Sequence, residues 1–446
     1  LYFSLNLSPA LVAVGYIVGL NIAFLVFLGG CISWYLGIPI YILLNGAPDV
    51  GSPEAIGGAL WSSKIRYLGV GAMVVGGVWA LLSLRSALGQ AFSSGVAAFK
   101  ARGQQLQETL RTELDAPMSW IFIGVGVILV PVFFIYYHII QGVPVTLFML
   151  LIMVIAGFLF SAVAGYMAGL VGSSNNPISG VTIATVLSTS LLLLLLIGSS
   201  DPGRGAAGAI LVGAVIACAA AIAGDNMQDL KAGHVLGSTP KNQQIMQLIG
   251  VIAGALLIAP VLNLLLESKG IGAPTPEFPD PLTAPQATLM MSVATGIFGG
   301  ELPWNIIAIG GTIGAIIIVI DQYLKSKGST FRMPVLAVAV GLYLPFELDS
   351  SIFVGGVLAW LLEKGYKKLP TQEFVAKASN AGLLIASGLI TGEALMGILV
   401  ALFASFGISM AISDSPVLGS YGGLLLLAIV IVYLYRTVKK VSNKGE

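Results

Sequence analysis

Residues 165–186 read GYMAGLVGSSNNPISGVTIATV, and this stretch decides how the rest of the chain is taken. An apolar helix arrives at Gly172, meets Ser173, Ser174, Asn175, Asn176 and Pro177, and a second apolar helix starts near Ser179. Pro177 has no N–H, and its ring blocks the preceding turn, so helix cannot run through it. In water such a break is an ordinary Asn-Pro turn. Between two runs long enough to lie in hydrocarbon it is different. The freed carbonyls and N–H groups then need protein or trapped water as partners. The second helix start also offers N–H groups to an anion such as a carboxylate.

Composition places the stretch in a membrane. Only 9% of the 446 residues are charged, and the mean hydropathy is +0.96. A soluble chain of this size carries about 25% charged residues, because its surface must meet water. The 56 glycines suit close packing of helices in lipid. A net charge of +1 without a basic arm gives no footing for nucleic acid. Cys31 and Cys218 lie far apart in apolar runs and read as small buried hydrophobes, not as a disulfide or a metal site.

The apolar runs predict an all-α polytopic membrane protein of about 11–13 helical segments, some of them broken or re-entrant. The runs fall near 8–44, 65–84, 118–138, 144–171, 180–199, 206–223, 246–266, 286–299, 303–323, 333–346, 351–363, 378–407 and 421–435. Residues 85–116 predict an amphipathic interfacial helix, 224–244 a polar loop and 267–285 an exposed, proline-rich loop. Lys325, Lys327 and Arg332, then Lys364 to Lys377, then Arg436 to Lys444 mark segments that the positive-inside rule puts in the cytoplasm.

The chain repeats itself. Gly15, Phe27, Gly29, Gly30 and Trp34 recur in the same spacing as Gly341, Phe353, Gly355, Gly356 and Trp360. Arg66, Gly71 and Gly77 recur as Lys377, Gly382 and Gly388. Residues 1–116 then read as the end of a first half with its linker helix, and 117–446 as the second half, within one transmembrane transport domain. A block containing NNPISG precedes the second copy, so a comparable block is expected before residue 1 in the intact protein.

Polar groups inside hydrocarbon are expensive and mark pathways. The candidates for substrate contact are Asn21, Asn175, Asn176, Ser179, Glu301, Asn305, Glu347 and Asp349. Glu301, Glu347 and Glu393 are the candidates for carrying a coupling proton. Glu301 and Pro303 in FGGELPWN repeat the pattern of a break followed by a long helix. Asn21 and Ala23 align with Glu347 and Asp349, so the acids belong to the second copy alone. No GxxxxGK[ST], HExxH or GxSxG occurs, so the sequence gives no sign of an enzyme or a nucleotide-driven pump. No cofactor and no metal site is expected.

SNNPISG at 174–180 and GDNMQDLKAGHVLGSTPKNQQ at 224–244, taken in order, resemble the oligopeptide transporter family, including its yellow-stripe-like clade of metal-chelate carriers. The resemblance implies a prokaryotic member, about sixteen helices in duplicated halves, and proton-coupled symport. Its motifs fall on Asn176, Pro177, Ser179 and Gly180, and on Gly224, Asp225, Gln228, Asp229 and Lys231. The expected function is therefore secondary active transport, with proton-coupled symport of small peptides favoured. A metal–siderophore-like chelate is the alternative cargo, and a channel or a membrane subunit of a larger complex is the alternative of another class. The expected partners are the small-molecule or peptide substrate, protons and the lipid bilayer. The sequence admits a homo-oligomer, and the expected location is a prokaryotic inner membrane.

Overall fold

The structure, a computed structural model, describes residues 3–48, 52–83, 110–171, 178–198, 201–272, 275–278, 281–282, 284–299, 303–366, 372–408, 410 and 421–443. Among these the chain is predominantly helical, without a β-strand ladder. Nine spans among the described residues are long and apolar enough to cross a membrane. The chain is an all-α polytopic membrane protein.

Local signals explain where helices begin. α1 (Pro9–Cys31) starts with proline behind Ser8, whose side chain accepts from the Leu11 N–H. α3 (Pro53–Leu60) uses Ser52 in the same way, with α2 (Ile38–Asn45) before it. Proline fits the first helical position because its missing N–H would be an orphan there anyway. Two single π-helical turns, Ile32–Gly37 and Trp61–Ile65, join α1 to α2 and α3 to α4 (Tyr67–Ser83).

The chain divides into two compact units, taken in turn. One comprises residues 74–260 and 284–302. It holds α5 (Met118–Ile140), α6 (Val143–Val171), α7 (Ile178–Ile197), α8 (Pro202–Leu236), most of α9 (Pro240–Lys269) and α10 (Pro285–Gly299). α8 is central, packed on α6, α7 and α10. Its glycines make this possible: a Cβ at Gly205 would strike the Phe298 ring, and one at Gly213 the Val186 side chain. Buried Tyr136 on α5 donates to the Leu211 carbonyl, 3.3 Å away. The apolar windows of α5 and α9 bury nothing and suit contact with lipid.

Residues 224–244 do not form the expected polar loop. α8 runs on as helix to Leu236, and only Gly237–Thr239 turn before α9. With 35 residues, α8 is about 50 Å long. Hydrocarbon is about 30 Å thick, so the polar last turns project beyond it as helix. Gly237, at φ 73°, ends the helix: its N–H bonds to His234 and the Ser238 N–H to Gly233. The expected interfacial helix over 85–116 falls mostly outside the described residues. Its described end forms a single 3₁₀ turn at Arg111–Glu113.

The other unit comprises residues 1–73, 261–283 and 303–446. It holds α1 to α3, α11 (Trp304–Ser326), α12 (Val335–Tyr343), α13 (Phe346–Tyr366), α14 (Gln372–Ser405) and α15 (Tyr421–Asn443). α1 packs along α13, α12 and α14. Asp321, near the end of α11, receives both Arg332 donors, at 2.9 and 2.5 Å, and the Met333 N–H at 2.8 Å, which fixes the turn into α12.

Candidate functional site

The repeat in the sequence becomes a contact in space. A Cβ on Gly15 would land on the Ile352 carbonyl, and one on Gly341, the counterpart of Gly15, would land on the carbonyl of Val26, the counterpart of Ile352. Gly29 meets Val338, and Gly355, its counterpart, meets Val12, the counterpart of Val338. Each contact is thus made twice with the roles exchanged, as in the self-complementary interface of a two-fold dimer. Phe27 stacks on its own counterpart Phe353, with centroids 4.6 Å apart and planes 16° apart, so this pair lies on the pseudo-axis. Residue numbers rise along α1 as they fall along its partner, so the helices are antiparallel. A two-fold relating antiparallel helices is perpendicular to them. For membrane-spanning helices it lies in the membrane plane, the arrangement of inverted repeats.

Both copies break at the same place. α1 breaks at Gly19, where φ is 78° and ψ 167°, a conformation open to glycine. The counterpart of Gly19 is Pro345, which with extended Leu344 separates α12 from α13. One copy breaks by glycine and the other by proline; the apolar runs 333–346 and 351–363 came within a few residues of the second break, and nothing located the first.

Polar groups collect after the breaks. Asn21 follows the first and is exposed. Glu347 follows the second and is half-buried, and Asp349, two residues on in the same turn, is fully buried. The extended segment Ser4–Ser8 lies against this turn. The Asn6 N–H donates to the Glu347 carbonyl at 3.1 Å, and Ser350 and Ser351 donate to the carbonyls of Ser4 and Asn6, each at 2.6 Å. At the start of α1, Ser8 Oγ and the Ala10 N–H both donate to Glu393, at 2.6 and 2.8 Å. The Glu393 carboxyl group therefore caps the N-terminus of α1, accepting two hydrogen bonds there. Beside it opens a groove of about 690 Å³ lined by Asn6, Ser8, Lys269, Gly388, Gly392 and Glu393. That volume is within the range of small-molecule sites.

The structure brings Glu347 and Glu393 to one stretch, the residues leading into α1 and its first turn. Asn305 is exposed in the first turn of α11. Gly180 is buried in the first turn of α7, which also contains Ser179. Asn175, Asn176, Pro177 and Glu301 lie outside the described residues. Sequence reasoning missed Ser8, Lys269, Ser350 and Ser351. Ser8-Pro9 ahead of an apolar run is a helix-start signature that could have found the first of them.

The second motif builds a polar corner in the other unit. Asp225, Gln228, Asp229 and Lys231 are exposed on the projecting end of α8. Gln243 donates to the Asp229 carbonyl at 3.1 Å and Gln247 to its carboxylate at 2.6 Å. Gln244 grips the Asp115–Ala116 backbone and carboxylate, and Arg111 reaches Thr239 at 3.3 Å. A shallow groove of about 670 Å³ lies between these groups. The motif thus ties the α8–α9 hairpin to the segment leading into α5.

Broken helices in an inverted pair, within an all-α membrane chain, are an arrangement that secondary membrane transporters use. The family model of the OPT oligopeptide transporter proteins matches residues 1–404, and the chain belongs to that family. It is 33% identical to a Haemophilus influenzae protein described as an oligopeptide transporter, over 96% of this chain and 72% of that one. It is 26% identical to a Saccharomyces cerevisiae protein described in the same way, over 51% of this chain. It is 29% identical to an Oryza sativa subsp. japonica protein described as a metal-nicotianamine transporter, over 48% of this chain. The matched region spans only 30% and 29% of these last two relatives. No solved structure matches the chain significantly.

Proposed function

We propose that the chain carries out proton-coupled symport of small peptides across a prokaryotic inner membrane. The observation that supports this best is the reciprocal pairing of two helices broken at equivalent positions, with carboxylates beyond one break only. Secondary transporters place substrate and ion sites at such repeat interfaces, on half-helix ends. In this reading the amine of a peptide meets Glu347. In the other unit, the start of α7 at Ser179, with Asn175 and Asn176 before it, is proposed separately as an anion-binding helix end. Asn21 and Asn305 supply neutral hydrogen bonds. Glu301, Glu347 and Glu393 are the carboxyls first offered for the proton.

Peptide cargo is preferred because the relative matched along 72% of its length carries that description. Metal chelates are the second reading, favoured by several plant relatives described as metal-nicotianamine transporters. Uptake into proteoliposomes tests both. Labelled trialanine should accumulate under an inward proton gradient and not without it. Accumulation of a ferric chelate with trialanine excluded would transfer the assignment to chelates. Flux that never saturates and ignores the gradient would point to a channel.

A further inference from the structure

Asp349 is the one acidic side chain among the described residues that is fully buried with both carboxyl oxygens lacking a hydrogen-bond partner. It sits in the first turn of α13, and its Oδ2 fills the space where a Cβ on Gly30 would lie. The pseudo-symmetry supplies an internal control. Its counterpart Ala23 places a methyl against Gly356, the counterpart of Gly30. The same slot is filled by a methyl in one copy and by a carboxyl in the other, so packing does not require the acid.

We propose that Asp349 carries the coupling proton, and that its protonation state sets how closely α13 packs on α1. This deepens the symport reading and rests on it. A neutral carboxyl fits the Gly30 slot about as an amide would. A carboxylate without donors does not, since buried charge must be paired or rehydrated. Ionisation breaks the O–H bond and passes the proton to water. The carboxylate must then leave the slot for water or a cation, which loosens the α1–α13 contact. Reprotonation from the opposite side restores it, one proton per cycle.

The surroundings fit. α1 contains no charged residue, and its titratable groups are Tyr16 and Cys31, of which Cys31 lies within electrostatic reach of Asp349. α12 contributes Tyr343, and the π-helical turn after α1 contributes Tyr35. The segment Phe3–Ser8 is uncharged. On α13 itself are Glu347, Glu363 and Lys364. α15 packs on α13 through Leu434 and Val438 against Leu358 and Leu362, more than two turns beyond Asp349, and its cations Arg436, Lys439 and Lys440 belong to that end. Glu373, Lys377 and Glu393 lie on α14. Of the carboxyls beside the breaks, Glu393 already holds two donors at the start of α1. Asp349 alone among them is fully buried with both carboxyl oxygens unpartnered.

Two measurements on the full-length protein test this. In proteoliposomes, Asp349→Asn should lose gradient-driven accumulation of labelled trialanine, down to the level without a gradient. Asp349→Ala, which copies the packing of Ala23, should behave the same and guards against misfolding of the amide variant. If either accumulates trialanine under a gradient as the parent does, the assignment of Asp349 is refuted. A parent that shows no gradient-driven uptake refutes the symport reading itself. The second measurement needs no substrate: maleimide labelling of Cys31 in a Cys218→Ser background. Raising the pH should speed labelling more with Asp349 present than in Asp349→Asn. Identical pH profiles in the two proteins overturn the proposed movement.

Discussion

At the scale of the residue, the glycines of the crossing divide into those that carry contact and those that do not. Gly15, Gly29, Gly341 and Gly355 each meet backbone of the partner helix where a Cβ would stand. Alanine at any one of them should cost about 1–3 kcal/mol through overpacking. Gly124 on α5 has nothing within 4 Å of its Cβ position. Gly124→Ala should therefore leave stability unchanged or raise it by up to about 1 kcal/mol, from helix propensity alone. Thermal unfolding in detergent distinguishes the two groups. The cap of α1 gives a second prediction: Ser8→Ala should cost about 1 kcal/mol. It loses the bond from the Leu11 N–H and one of the two donors to Glu393. Equal melting temperatures for Ser8→Ala and the parent would remove the cap from the account.

At the scale of the element, the polar end of α8 shows how pattern and context divide the work. GDNMQDLKAGHVLGSTP carries enough polar residues to read as a loop, and the structure keeps it helical to Leu236. Polarity marked correctly where the chain leaves hydrocarbon, but in helix geometry a polar residue is as acceptable as an apolar one once water is reached. The bonds that secure this end come from α9, through Gln243 and Gln247, which both reach Asp229. Replacing Gln243 and Gln247 together by alanine should loosen the hairpin. Amide exchange at residues 225–244 should then quicken while α6 is unaffected. Unchanged protection there would show that apolar packing, not the glutamines, holds the hairpin. The breaks belong to this scale as well. Pro345 announces its break, whereas nothing at Gly19 distinguishes it from glycines that stay helical, because a glycine breaks a helix only when packing calls for it.

At the scale of the molecule, the reciprocal contacts predict a lock. Phe27 and Phe353 face each other on the pseudo-axis. Cysteines at both positions, with Cys31 and Cys218 replaced by serine, should form a disulfide on oxidation. If α1 and α13 must separate during each cycle, the oxidised protein should not accumulate substrate, and reduction should restore uptake. Full uptake by the oxidised protein would mean that this contact stays closed throughout transport.

Hydropathy determined by itself that the chain is a bundle of membrane helices, because a surface of 9% charge cannot face water. Glycine spacing determined that it contains a repeat, since close helix contact tolerates only hydrogen at fixed intervals. The matched aromatic and glycine positions even named the residues that would later touch. What they could not give is that the two copies pack on each other antiparallel, each broken at its counterpart residue. That depends on which surfaces meet, and no local pattern encodes it. Nor could the sequence separate Glu347, Asp349 and Glu393, three acids in apolar surroundings. Only the tertiary structure left Glu347 half-buried beside the Ser4–Ser8 segment, gave Glu393 the donors at the start of α1, and left Asp349 dry against Gly30. The role of a buried acid is set by the partners that folding brings to it or withholds.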